Sequence, residues 1–227
     1  MTGQRKFKIL LLGIVLVLSA AGCSNKTPEE KSYDFLEELA SIEKGYEEQH
    51  EPLQKLEAED NEIYAQIIEL GMKEMEEITS LSNDAIEGIK KREELMKKEK
   101  ESIDDSRQQF SEFEELIDKL SDEKAKEEAE ELQEIMQKRY KDYDKLYDLY
   151  LVSLDEEKKL YELFKDENTT RDQLETQIKS VNEAYTNLSE ANNQYNKQTE
   201  KYNEKKLSFY KTTGIEIESE QPWPPLN

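Results

Sequence analysis

The sequence predicts an all-α protein, an elongated antiparallel helical bundle or coiled coil of three or four long helices. Three observations carry this. Between Pro52 and Pro222 there is no proline, in a stretch rich in Glu, Lys, Leu and Gln, all good helix formers. Apolar residues recur through it in alternating steps of three and four, the spacing of a helix seam. No alternating apolar and polar run long enough to make a strand appears anywhere. With charged residues at 38%, disorder is the competing reading, and the sustained periodicity argues against it.

The elements follow in order. Arg5, Lys6 and Lys8 precede a ten-residue run, Ile9 to Leu18, that is apolar except for Gly13. A membrane span needs about 20 residues, so the run fits the apolar region of a secretory signal instead. Small residues follow, Ser19-Ala20-Ala21-Gly22, and then Cys23. This end resembles a lipobox, with Ala20 where Leu is commonest. The resemblance implies cleavage of residues 1–22 and a diacylglycerol on the Cys23 thiol. Cys23 is the single cysteine, so no disulfide can form within the chain, and a free thiol would be a liability outside the cytoplasm. Residues 23–27 would be the lipidated cysteine and a short tether. The expected location is the outer face of a cell membrane, held by the lipid.

A helical bundle is expected over 28–212. Thr27, Pro28 and Glu30 form a capping-box start. The first stripe is Phe35, Leu39, Ile42, Tyr46, then Leu53, Leu56, Ile63 and Ile67. It keeps register through Pro52, which therefore reads as a kink within a helix. Thr79 to Asp84 collects weak helix formers, and a turn near 79–83 would divide helices at 28–79 and 82–120. Without that turn, one helix of about 90 residues would need a partner chain. The second stripe is strict: Ile89, Met96, Ile103, Phe110, Ile117, joined by Phe113 and Leu120. Ser121-Asp122-Glu123 reads as a turn and cap before a third helix over 122–165, with Ala129, Leu132, Met136, Arg139, Tyr143, Leu146 and Tyr150 on its seam. Thr170 and Gln173 cap a fourth over 170–212, whose seam runs from Leu174 to Phe209. Gly214 is placed to end it. Residues 213–227 form a tail with the only tryptophan, Trp223, between prolines.

Function classes are narrowed by charge and by histidine. Residues 1–22 hold three basic residues and no acidic ones, so the mature chain keeps 29 basic against 54 acidic residues, a net charge of −25. Nucleic-acid binders carry the opposite sign, so no nucleic-acid partner is expected. His50 is the only histidine, in a Glu47-x-x-His50 spacing that di-iron bundles need twice. Ser-His and Cys-His schemes are equally poor in material. The acidic runs at Glu112–Glu115 and Asp122-Glu123 read as solvated faces. No enzyme activity, metal or cofactor is expected. Nine of the 12 tyrosines lie from Tyr140 onward. Packed rings with wet hydroxyls are the plainer reading. The sharper one is a set of ligand-contacting aromatics, for which Tyr140, Tyr147, Tyr161 and Trp223 are the candidates.

Beyond these patterns, the chain resembles the YkyA-like family of Gram-positive lipoproteins, described as cell-wall-binding. The resemblance rests on the lipobox, on Pro28-Glu29-Glu30-Lys31, on Leu70-Gly71-Met72-Lys73-Glu74, and on the tyrosine pattern from Arg139-Tyr140 to Tyr150. It covers roughly residues 23–212. It implies a binding or structural lipoprotein of the cell envelope, contacting peptidoglycan or another envelope protein. An interaction adaptor or chaperone-like holdase for exported proteins is the alternative. A homo-oligomer stays open.

Overall fold

The structure, a computed structural model, describes residues 26–71 and 74–215. The signal-like segment, Cys23, Trp223 and nearly all of the tail lie outside the described residues. The described chain folds into six helices: α1 (Pro28–Ile42), α2 (Lys44–Leu70), α3 (Met75–Phe110), α4 (Phe113–Ile117), α5 (Glu123–Phe164) and α6 (Arg171–Thr212). They make four long arms, because α1 continues into α2 across Glu43 and α3 into α4 across two residues. Each of the last two arms is a single helix of 42 residues, about 63 Å at 1.5 Å per residue.

Local chemistry sets most of the ends. Thr27 and Glu30 form a reciprocal capping box at α1, and Thr170 and Gln173 do the same at α6. Asp122 accepts the Ala125 N–H at 2.8 Å to start α5. After α6, Gly214 takes φ 70°. The N–H of Ile215 donates to Tyr210 O and that of Gly214 to Lys211 O, the two bonds of a Schellman stop. Ile215 then packs onto the core.

One boundary differs from expectation. Helix α2 ends at Leu70 and α3 begins at Met75, and residues 79–84 are helical within α3. Gly71 has φ 60° and ψ 177°, a conformation open only to glycine. Ile78, Ser82, Ala85, Ile86 and Ile89 are all buried, so packing overrides the weak helix propensity of Thr79 to Asp84. Helix α2 passes through Pro52 without ending. The interruption on that arm is at Glu43 instead.

Helix α3 packs on α2 and α5, and α5 packs on α6. The core has two parts. At one end α1, α3, α4, α5 and α6 bury Leu36, Ile103, Phe113, Leu132, Tyr143 and Phe209, each fully covered. At the other end α2, α3 and α5 bury Ile67, Ile78, Ile89, Leu154 and Phe164. Here the seam of α6 is only half-buried, at Leu174, Ile178, Val181 and Leu188. Among the described residues no helix is long and apolar enough to cross a membrane.

Candidate functional site

Between Ile89 and Phe110, every second seam position of α3 is polar. Ile89, Met96, Ile103 and Phe110 repeat every seven residues, and the positions three later are Arg92, Glu99, Ser106 and Phe113. Arg92, Glu99 and Ser106 are 1%, 4% and 0% exposed. Buried polar groups are expensive unless they are paired, so each of these rungs calls for a partner.

Ser106 has one. Its hydroxyl donates to Glu43 Oε1 at 2.6 Å and meets Tyr140 Oη at 2.7 Å. Arg139 grips the same carboxylate with two nitrogens, at 2.9 and 2.8 Å. The guanidinium also reaches Thr199 Oγ1 and Tyr195 Oη, and lies 5.0 Å from the Tyr195 ring centre. The break between α1 and α2 sits on this network. Ser102 Oγ donates to the Ile42 carbonyl at 2.9 Å, which satisfies an oxygen that the break leaves without a helical partner. A void of only about 10 Å³ lies beside Arg139, about the space of one water.

Arg92 has two partners. It is ion-paired to Glu157 on α5 and lies 3.6 Å from Asp60 on α2. Tyr185 on α6 donates to the same Glu157 carboxylate. Burial, with the Glu157 charge adding to it, pushes the Asp60 carboxyl up to about 6, against the pull of Arg92.

Glu99 differs. No cationic side chain among the described residues is ion-paired to it. Its hydrogen bond comes from Tyr143 Oη at 3.5 Å, the long limit of such a bond. Burial pushes its carboxyl up to about 8, against the opposing Tyr143 bond and with a lesser push from the Glu57 charge.

Glu99 opens onto a cleft of about 630 Å³ between α2 and α6, floored by α3 and α5. The α2 wall carries Tyr46, His50, Leu53 and Glu57; the floor carries Met96, Glu99, Leu146 and Tyr150. The α6 wall carries Asn182, Tyr185, Leu188 and Asn192. Tyr150 donates to Glu57 Oε1 at 2.8 Å. Tyr185 is 42% exposed. Aromatic faces, side-chain amides and a few carboxylates around a cleft of mixed polar and apolar surface are the makings of a binding site.

The tyrosines singled out from sequence are placed elsewhere. Tyr140 and Tyr161 are 3% and 2% exposed. Tyr161 reaches the Asp60 carbonyl at 3.5 Å. Their rings are covered because α5 is flanked by both α3 and α6, which buries positions beside the seam as well as on it. They are core residues in this structure, and neither is among the residues that line the cleft. Tyr147 is half-buried and packs against both parts of the core. Cys23 and Trp223 lie outside the described residues. His50 stands at the cleft rim, with Nε2 2.9 Å from Gln54 Nε2. The residues missed were Tyr46, Tyr150 and Tyr185, which look like ordinary seam residues. The available signal was the polar row of α3 together with Asn192, a polar seam position on α6.

Comparison with known proteins adds three findings. The model of the YkyA family, described as "Putative cell-wall binding lipoprotein", matches residues 27–212. A Bacillus subtilis (strain 168) protein named "Uncharacterized lipoprotein YkyA" is 34% identical over 202 residues, covering 89% of this chain and 91% of its own. A crystal structure of a conserved protein of unknown function from Staphylococcus aureus superposes with a TM-score of 0.62. It is 18% identical and covers 83% of this chain and 98% of that one, a likeness of fold.

Proposed function

The chain belongs to the YkyA family of lipoproteins, and from that premise we propose that it is a wall-binding component of the cell envelope, anchored through a lipid on Cys23 and presenting the α2–α6 cleft to wall polymer. Its role on this reading is binding, with no catalytic step. The observation that carries the reading is the cleft itself: about 630 Å³, with Tyr46, Tyr150 and Tyr185 beside Asn182 and Asn192. Tyrosine faces and amides suit the sugars and peptide bonds of peptidoglycan. They can also hold a polymer whose phosphates repel the −25 charge of the mature chain.

The anchor and the cleft fit together by length. The helical chain starts at Pro28, and the cleft begins 18 residues later at Tyr46. A bundle standing upright on its tether would hold the cleft roughly 25–50 Å beyond Pro28, at about 1.5 Å per residue. Two acyl chains make a stable anchor where one is marginal.

Two experiments test the reading. Cys23→Ala is expected to leave the membrane fraction or to accumulate as precursor; normal processing and retention would end the lipid-anchor part. Sedimentation of the mature chain with purified wall is expected to be unchanged or stronger when NaCl is raised. Salt screens the repulsion between like charges within a Debye length of about 10 Å, whereas a basic polyanion site loses affinity steeply. Binding that collapses with salt would overturn the electrostatic account, and absence of binding at any salt would overturn wall recognition.

An adaptor or holdase for exported proteins is the second reading. It has its own observation, the half-buried seam of α6 together with Ile68 and Val152, which are 52% and 48% exposed. Crosslinking in intact cells separates the two: a dominant protein adduct at α6 favours the adaptor.

A further inference from the structure

The three polar rungs of α3 are built alike and completed differently. Arg92 is answered by two carboxylates and Ser106 by a carboxylate and a tyrosine. Glu99, between them, is 4% exposed and is answered by one long tyrosine bond. It is also the rung that opens on the cleft. The two neighbouring cations are already committed, Arg92 to Glu157 and Arg139 to Glu43. A carboxyl buried beside a cleft with no counter-ion stays protonated until a cation reaches it, and an arriving cation then favours the carboxylate.

We propose that the cleft binds a primary ammonium group at the end of a methylene chain, as on a lysine or diamino-acid side chain of an extended peptide, with Glu99 as its counter-ion. The lining argues for this shape. Leu53, Met96 and Leu146 surround the approach to Glu99, and methylenes pack well on such walls while the charged head reaches its polar partner. Tyr185, the exposed tyrosine of the same cleft, can offer a ring face to the cation. A sugar amine lacks the stem that would bury against these walls. The proposal deepens the wall-binding reading by naming the feature of the polymer that is recognised, and takes from that reading only the source of the amine.

The proposal has a proton signature. In the empty cleft the Glu99 carboxyl, pushed up to about 8 by burial, is mostly protonated at pH 7. The groups facing it are Tyr46 and Glu57 from α2, Tyr143 from α5 and Tyr195 from α6, with His50 and Tyr185 on the cleft walls. An ammonium must find the carboxylate, so binding below pH 8 expels one proton to the buffer. Affinity should rise about tenfold per pH unit from 6 to 8 and level off above.

The test is calorimetry on the full mature chain in buffers of different ionisation enthalpy. The probes are a short peptide with a blocked N-terminus and one internal lysine, and the same peptide with that lysine acetylated. Wall sedimentation is run in parallel with wall whose amines have been acetylated. The free-lysine peptide is expected to bind at least tenfold more tightly than its acetylated twin at pH 9, and to release close to one proton at pH 7. Glu99→Gln should lose both the discrimination and the proton release. That variant should fold, since it replaces a carboxyl that is mostly protonated at pH 7. Equal binding of the two peptides, binding of neither, or discrimination that survives Glu99→Gln would each overturn the proposal. Wall binding that survives acetylation and Glu99→Gln would overturn it while leaving the wall-binding reading intact. Amine-dependent peptide binding with no wall binding would do the reverse.

Discussion

The bundle has a closed half and an open half, and the same kind of interaction sits in each. In the closed half Arg139 holds Glu43 with a surrounding of Thr199, Tyr195 and Ser106. In the open half Arg92 holds Glu157 near Asp60, with Tyr185 added from α6. The difference lies in the fourth wall. Helix α1 is tied to α6 by Tyr210 and Lys206, which both reach Glu37 at 2.9 and 3.1 Å, and by the Tyr33–Tyr210 ring contact at 4.9 Å. Past Glu43, α2 leans on α3 and leaves α6 half-covered. A four-arm bundle thus needs its last side-chain bridges to close. Where they are missing, the seam that would have been core becomes the lining of a cleft.

The largest test of this contrast is Arg139→Ala. It leaves Glu43 buried without a cation and is expected to destabilise by about 3–5 kcal/mol, the usual loss when one partner of a buried pair is removed. Arg92→Ala should be comparable at pH 8 but milder at pH 5, where the Asp60 carboxyl, already pushed up to about 6, takes a proton. Urea unfolding at the two pH values checks both, and equal pH dependence of the variants would erase the distinction. Next come paired truncations. Phe209→Ala in the closed half should lose about 3–5 kcal/mol, whereas Ile178→Ala on the half-covered seam should lose about 1–2 kcal/mol, because little cavity is left behind. Similar losses would mean that the open half is as tightly packed in solution as the closed one.

Smaller effects follow from Glu99 and Gly71. A carboxyl raised to about 8 in the fold binds its proton more tightly folded than unfolded. Its contribution is therefore full below about pH 4, is lost as pH rises towards 8, and is flat above. Wild type should lose stability relative to Glu99→Gln across that window, by at most about 1.4 kcal/mol per pH unit. Parallel curves would show that Glu99 is better solvated than its burial indicates. Gly71→Ala places a side chain at φ 60° and ψ 177° with open space around it. It should cost about 1–3 kcal/mol through backbone strain alone, read by thermal unfolding.

Much of the fold was legible because it depends on local signals. Thr27 with Glu30, Asp122, Thr170 with Gln173, and Gly214 each mark a helix end by chemistry within a few residues. The seams of α3 and α5 repeat strictly enough to name the core. The first turn was harder. Thr79 to Asp84 has the weaker propensities, but α2 ends at Leu70, before Gly71 at φ 60°, while burial of Ile78, Ser82 and Ala85 keeps residues 79–84 helical. The site was hardest. Tyr140 and Tyr161 were singled out as lying beside a seam, which marks a surface only when a helix is covered on one side, and α5 is covered on two. The row Arg92, Glu99, Ser106 was in plain view at seven-residue spacing, yet its meaning depends on Glu43, Asp60 and Glu157 from other arms. No single-helix pattern carries that information.

The interruption at Glu43 also has a mechanical meaning. A pull on the chain ahead of Pro28 loads α1 first. At residue 43 the helix is interrupted for one residue, and side-chain bonds run sideways there, from Glu43 to Arg139 and from Ser102 to the Ile42 carbonyl. Tension would be shared with α5 and α3, the two helices at the centre of the bundle, as well as passing along the arm into α2. Load entering at Pro28 therefore meets the two central helices before it meets α2, the helix that walls the cleft.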